Sequence, residues 1–202
     1  ALTVLLLSAL LTFLSGCSNA VTDTSSLVSK TTSAVSKTAS STIRLLYSSK
    51  DSLDPYSCVT EQNSVLSQLI FDPLVSLNNQ YEVEYRLAFS VNTDEKICTV
   101  KLRDARFSDG TIVTADDVVF SFNKAKNSKT TRHSAALKYA ESAMAQDNKT
   151  VVITLSRKDP NFANLLTFPI MKLGSDELKD SDNRALAPIG AGRFVFNNET
   201  AQ

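Results

Sequence analysis

The central stretch of the chain reads, from residue 98 to residue 120, Cys-Thr-Val-Lys-Leu-Arg-Asp-Ala-Arg-Phe-Ser-Asp-Gly-Thr-Ile-Val-Thr-Ala-Asp-Asp-Val-Val-Phe. In its first five residues, apolar side chains alternate with polar ones, which is typical of a half-buried strand. The pair Asp109-Gly110 predicts a turn, because glycine tolerates the positive φ that such turns need. The stretch therefore predicts a strand that ends in a tight turn.

A helix start follows the turn. Thr114 can cap the free amide groups, and Asp117, three residues later, occupies the position of the carboxylate in a capping box. Val118, Val119 and Phe122 give the expected helix an apolar face. Each residue type in this stretch has a local structural reason, and nothing in the pattern alone requires chemistry.

The same region resembles the segment that marks bacterial extracellular solute-binding proteins of family five, the peptide-binding and sometimes nickel-binding receptors of ABC importers. The matching residues are Leu87-Ala88, Ser90, Leu102-Arg103, Phe107-Ser108-Asp109-Gly110, Val113-Thr114-Ala115-Asp116-Asp117-Val118 and Phe120-Ser121. Two further runs, 71–75 and 188–194, resemble other elements of the family. The sequence departs from the family at Val91, where an aromatic residue is common, and at Glu95-Lys96, which replaces a frequent Asp-Gly turn. Both look like tolerated changes at structural positions.

Composition limits the class of protein. The 202 residues are 43% hydrophobic and 21% charged, with a formal net charge of +0, which suffices for one core or for one core and part of another. No basic stripe is evident, so we expect no nucleic-acid partner. The three cysteines do not make a disulfide framework. A bridge between Cys58 and Cys98 requires the fold to bring them together, and Cys98 looks like an ordinary inward strand residue.

The beginning of the chain predicts a lipoprotein signal. Residues 1–14 are almost wholly apolar and too short to span a membrane, and Leu14-Ser15-Gly16-Cys17 resembles the bacterial lipobox, which implies that Cys17 carries lipid. No initiator Met or basic start precedes the apolar run, so we expect residues 1–17 to be a signal peptide without its start. The alternative is a buried helix that ends at Gly16. Residues 18–42 are rich in Ser, Thr and Ala and are expected to form a flexible tether.

The remaining pattern predicts further elements. The predicted strands are Ile43–Tyr47, Leu74–Leu77, Thr150–Leu155 and Arg193–Phe196. The predicted helices are Ser64–Phe71, with an apolar face of Val65, Leu66, Leu69 and Ile70, a helix that starts at Asp159-Pro160, and two short ones at Ala135–Tyr139 and Ser175–Asp180.

The resemblance, which covers Ile43 to Asn197, implies an α/β fold of the two-lobed periplasmic-binding-protein class II, with only the first lobe, residues 43–202, largely present and the second lobe absent. Residues 43–55 and 167–202 would form one subdomain of that lobe. Residues 56–166 would form a second subdomain inserted into the first.

The resemblance also implies a function. The chain would be a monomeric substrate-binding lipoprotein on the outer face of the bacterial cytoplasmic membrane. It would capture peptides and deliver them to ABC permease subunits that work with a separate ATPase. It would not be an enzyme, since no nucleophile–base pair is apparent in the sequence. Two alternatives stay open: a receptor that senses peptides or pheromones, and binding of another solute such as a nickel complex.

The best local site is the loop after Asp54-Pro55, since family members bring this loop to the ligand backbone. The expected ligand-binding residues are Tyr56, Ser57, Cys58, Val59, Thr60, Glu61 and His133. An ordinary surface loop is an equal alternative for residues 56–61, and a solvated position is the alternative for His133.

We expect no metal and no cofactor. The spacing of Asp109, Asp116 and Asp117 does not match a calcium loop, and the single histidine cannot build a histidine-based site with a second one. The motif at residues 190–192 lacks the third glycine of a dinucleotide fingerprint.

Overall fold

A computed structural model describes residues 42–129, 133–183 and 185–197. The predicted signal segment, Cys17 and all but the last residue of the predicted tether lie outside the described residues. Almost everything described belongs to one compact unit, Arg44–Gln202. In chain order its elements are α1 (Glu61–Ile70), β1 (Val75–Leu77), β2 (Val83–Tyr85), β3 (Ala88–Asp94), β4 (Ile97–Leu102), α2 (Ala115–Asn127), α3 (His133–Ala136), β5 (Ala140–Asp147) and β6 (Thr150–Leu155). Two short 3₁₀ helices follow, Phe162–Leu165 and Ser175–Glu177.

A four-stranded antiparallel sheet in the order β3-β4-β6-β5 forms the centre of the unit. The alternation predicted for β4 is confirmed, because Cys98, Val100 and Leu102 are buried on one face while their neighbours are more exposed. Strand β6 is also confirmed, and Val151 lies opposite Val100 in the register. The edge strand β5 was not predicted, since its Ala, Glu, Met and Gln residues favour helices over strands.

The predicted turn and helix follow β4. Gly110 has a φ of 84°, as the turn requires. Thr114 and Asp117 form the predicted capping box at the start of α2. Val118 and Phe122 are fully buried, whereas Val119 is half-buried. The ring of Phe122 meets that of Phe168 edge-on at 6.1 Å, so α2 shares one core with the segment that follows β6.

Two segments predicted as strands are not strands. Ile43–Tyr47 has no strand pairing within the described residues, and Leu46 is 89% exposed. Arg193–Phe196 instead lies against the end of α1, where the backbone amide of Phe194 donates to the carbonyl of Leu69 at 3.2 Å. Hydrogen bonds that a ladder would use are therefore made with a helix terminus. The ring of Tyr47 contacts that of Phe196 at a centroid distance of 5.2 Å, which brings these two segments together.

Helix boundaries differ from the predicted ones. Helix α1 begins at Glu61 rather than Ser64, and Val65 is 50% exposed, so it does not belong to the buried face. The helix expected after Asp159-Pro160 is only a four-residue 3₁₀ helix, since the chain turns inward at once to bury Phe162 and Leu166. The division into residues 43–55 with 167–202 and an inserted 56–166 stays a prediction.

Cys58 and Cys98 are both buried and both free, so they do not form the disulfide that the sequence left open. None of the helices in the described part of the chain combines the length and the apolar composition that crossing a bilayer needs.

Candidate functional site

A groove of about 1130 Å³ runs along one side of α1. The residues that line it come from the loop before α1, from α1 itself, from the segment through β1, and from four later positions. They are Pro55, Cys58, Val59, Thr60, Glu61, Ser64, Ser67, Gln68, Phe71, Asp72, Pro73, Val75, Ser76, Leu77, Arg86, His133, Thr167 and Pro169. Hydroxyl and amide side chains recur among these residues, so the groove offers neutral hydrogen-bonding groups along much of its length.

The loop at the entrance of α1 is held by the carboxylate of Asp51. This carboxylate accepts hydrogen bonds from the backbone amides of Val59, at 3.1 Å, and Thr60, at 2.8 Å, and from the Thr60 hydroxyl at 2.6 Å. The hydrogen bond from the Thr60 hydroxyl, followed by that from its amide, lowers the pKa of Asp51. The groove-facing part of the loop therefore has a defined backbone position.

The beginning of the same loop is held by Asp54, which is 8% exposed. One of its carboxylate oxygens accepts a hydrogen bond from the backbone amide of Tyr56 at 2.8 Å, and the other lies 3.3 Å from the Lys124 ammonium group of α2. The ammonium group also contacts the carboxylate of Asp176. A buried charge needs such compensation, so Lys124 ties the loop, α2 and the second 3₁₀ helix together.

Tyr56 has a structural position beneath the groove. It is 4% exposed, its hydroxyl donates to the carbonyl oxygen of Pro169, and burial raises its pKa well above the ordinary value. Its ring meets that of His133 edge-on, with the centroids 6.3 Å apart. Tyr56 therefore supports the part of the groove wall that His133 and Pro169 form.

The structure brings together five of the seven predicted ligand-binding residues. Cys58, Val59, Thr60, Glu61 and His133 line the groove. Tyr56 is buried beneath it, and Ser57 is exposed and is not one of the lining residues. Contact of any of the seven with a ligand stays a prediction.

Sequence reasoning missed the part of α1 that lines the groove. Ser64, Ser67 and Gln68 follow Glu61 at helical spacings of three and four residues, which places them on one side of the helix. The spacing of these polar residues is visible in the sequence, but the prediction for this helix considered only its apolar face. Other lining residues were not readable as a group, because Asp72, Arg86 and Thr167 are far apart in the chain and meet only in the fold.

Within residues 42–129, 133–183 and 185–197, no group of three or more His, Cys, Asp or Glu side chains is placed to hold a metal ion. The Asp109 carboxylate, one of the acidic groups that stood out in the sequence, is instead paired with the Lys172 ammonium group at 2.6 Å. The described groove lining offers hydrogen-bonding groups, the aromatic rings of Phe71 and His133, and a few charged side chains.

Several known proteins resemble this chain in sequence or in structure. A Brucella ovis protein, named for peptide binding in an ABC transporter, is 33% identical over 143 residues, which are 65% of this chain and 27% of the relative. This chain thus spans about a quarter of the length of that relative. AgaA of A. tumefaciens R10, solved in complex with agropinic acid, has a TM-score of 0.62 and 28% identity over 74% of this chain and 31% of its own.

The oligopeptide-binding protein AppA of Bacillus subtilis, solved in complex with a nonapeptide, has a TM-score of 0.56 and 26% identity over 68% of this chain and 30% of its own. The predicted α/β binding-protein fold is confirmed by these structures. The model of bacterial extracellular solute-binding proteins, family 5 Middle, matches residues 82–202, which is more than half of the chain. The chain therefore belongs to the bacterial extracellular solute-binding proteins of family 5.

Proposed function

We propose that this chain forms part of the substrate-binding protein of an ABC importer, which captures peptides outside the cytoplasm and delivers them to a membrane permease. The observation that carries this proposal is the groove beside α1, in a chain of family 5 whose relatives include a protein named for peptide binding in an ABC transporter. Peptide backbones need donors and acceptors at regular intervals, and the hydroxyl and amide groups of the groove supply them.

The proposed role is binding without catalysis. Transport energy would come from a separate ATPase, and peptides should be recovered intact after incubation with the protein. A shorter peptide in the recovered pool would contradict this part of the proposal.

Two glutamines of α1 offer a matched test of the groove. Gln68 lines the groove, whereas Gln62 is exposed on the same helix and outside the groove lining. In the complete protein that carries this sequence, Gln68→Trp should fill the groove and weaken binding of a tri- to pentapeptide pool at least tenfold, as measured by titration calorimetry. Gln62→Trp should leave the affinity unchanged, because it adds the same side chain elsewhere. Equal affinities for the two variants would refute the groove as the peptide site.

We also propose that Cys17 carries a lipid that anchors the protein at the outer face of the cytoplasmic membrane, with residues 18–42 as the tether. The support for this is the sequence Leu14-Ser15-Gly16-Cys17 after an apolar run. In a bacterial host, labelled palmitate should enter the protein and Cys17→Ala should abolish the incorporation. Equal labelling of this variant would remove the lipid anchor from the proposal.

A further inference from the structure

Arg86, directly after β2, places a cationic side chain in the groove. Its Nη2 atom donates to Asp72 Oδ1 at 3.0 Å, and the two side chains keep 34% and 24% of their surface exposed. Both residues line the groove. This ion pair is therefore open to whatever occupies the groove.

The guanidinium group of Arg86 has donors to spare. A guanidinium carries five N–H donors, and the bond to Asp72 is the single side-chain hydrogen bond of Arg86 among the described residues. Arg103 differs, because its Nε and Nη2 donate to the backbone carbonyls of Ala88 and Tyr85. Arg103 thus stabilises the chain, while Arg86 presents unused donors to the groove.

The contact with Asp72 is weak enough to be shared or exchanged. It joins one nitrogen to one oxygen, and ion pairs that solvent reaches in this way stabilise a protein little. A carboxylate from a ligand can bind a guanidinium through two parallel hydrogen bonds, which is a stronger geometry. Asp72 is held in place by its backbone, whose carbonyl accepts the Ile170 amide at 3.0 Å, so it stays close as a competitor.

We propose that Arg86 selects ligands that carry a carboxylate, and that Asp72 is the internal competitor that sets the strength of this interaction. The inference rests on the proposed function in that the groove is the ligand site. The carboxylate is the terminal group of a peptide, an acidic side chain or a small organic acid, and the experiments below separate these sources.

The first experiment uses acetate as the probe and needs no knowledge of the ligand. In the chain labelled with ¹⁵N-arginine, the Nε–H signal of Arg86, assigned with Arg86→Lys, should shift to saturation with sodium acetate and not with sodium chloride. Asp72→Asn removes the competing charge, so half-saturation should occur at a several-fold lower acetate concentration. The signal of Arg106, which donates to the Gly110 carbonyl, is the control and should respond to both salts alike. The same shift of Arg86 in both salts would overturn the proposal.

The second experiment uses the complete protein and three ligand pools: tripeptides with free carboxyl termini, the same peptides amidated, and amidated peptides that contain aspartate. The protein should bind at least one carboxylate-bearing pool about tenfold more tightly than the neutral pool, and Arg86→Gln should abolish that preference. Arg106→Gln should retain it. If Arg86→Gln weakens all pools equally, Arg86 acts only on structure and the proposal is wrong.

Should the complete protein bind no peptide at all, the proposed function fails, and the acetate experiment still decides the role of Arg86. Succinate, added to the same labelled chain, then tests the small organic acid as the source. A saturating shift of Arg86 with succinate supports the proposal, and its absence counts against it.

Discussion

Replacing Asp117 with alanine is expected to destabilise the chain more than removing the other half of the capping box. Asp117 is 5% exposed, and its carboxylate accepts three hydrogen bonds. They come from the backbone amide of Thr114 at 2.8 Å, from the Thr114 hydroxyl at 2.7 Å and from the backbone amide of Leu173 at 2.9 Å. The side chain therefore joins the start of α2 to a segment 56 residues away.

The size of the effect follows from these partners. A hydrogen bond to a charged group contributes roughly 1.5–3 kcal/mol, and the two backbone amides cannot turn away to find water as a hydroxyl can. We take the lower end for both, since each of these two hydrogen bonds is only part-buried, and expect Asp117→Ala to lower the free energy of unfolding by about 3 kcal/mol. Thr114→Ala removes the hydroxyl alone and should cost about 1 kcal/mol. Asp117→Asn keeps one acceptor oxygen and should fall between them.

Urea unfolding, followed by circular dichroism, measures the free energy of unfolding of all three variants. A thermal scan gives a second measurement, in which a loss of about 3 kcal/mol corresponds to a midpoint about 6–12 °C lower for a chain of this size. The double variant should cost less than the sum of the single ones, because both remove the same contact. An Asp117→Ala variant no less stable than Thr114→Ala would refute this account of the long-range contact.

Two further predictions concern the packing around two glycines and the reactivity of Cys58. Gly190→Ala would place a Cβ 2.1 Å from the carbonyl oxygen of Ile70, so overpacking should lower the free energy of unfolding by about 1–3 kcal/mol or more. The Cβ of Gly110→Ala meets nothing within 4 Å, so this variant should lose about 1–2 kcal/mol from backbone strain alone. Urea unfolding midpoints compare the two variants, and a smaller loss of stability at Gly190 would contradict the packing argument. Burial, aided by two nearby carboxylates, raises the pKa of the Cys58 thiol, so less thiolate is present at pH 7.5 and iodoacetamide should label Cys58 more slowly than free cysteine. The labelling rate should still be rising at pH values above the ordinary thiol pKa. Labelling as fast as that of free cysteine, measured by peptide mass spectrometry, would contradict the buried position of this thiol.

Part of the candidate site was predictable because its residues are neighbours in sequence. Residues 58–61, which the sequence singled out as a candidate binding loop, line the groove. The chain around them is held by contacts such as Asp51 to Thr60 that span only nine residues. The burial of Tyr56 was not predictable, since a tyrosine in a polar loop gives no sign that its hydroxyl will reach the Pro169 carbonyl, 113 residues away. The lining residues Asp72, Arg86 and Thr167 were also missed, because they are distant from the loop in the chain.

The sequence by itself determined the elements whose causes are local. Alternation predicted β4 and β6, Asp109-Gly110 predicted the turn, and the spacing of Thr114 and Asp117 predicted the capped start of α2, since each depends on residues within a few positions of one another. Only the tertiary structure decided the rest. Edge strand β5 forms against its helix-favouring composition because pairing with β6 satisfies its backbone.

The groove likewise combines residues that local sequence patterns reveal with contacts that only the fold creates. The lining residues of α1 recur at helical spacing, which periodicity can reveal. The ion pair of Arg86 and Asp72 instead joins positions 14 residues apart, at the two ends of the β1–β2 hairpin. Likewise the close approach of Gly190 to the Ile70 carbonyl leaves no trace in the sequence around either residue. Contacts of this kind depend on how the elements pack, because local propensity sets the conformation of a segment and not which other segment it will meet.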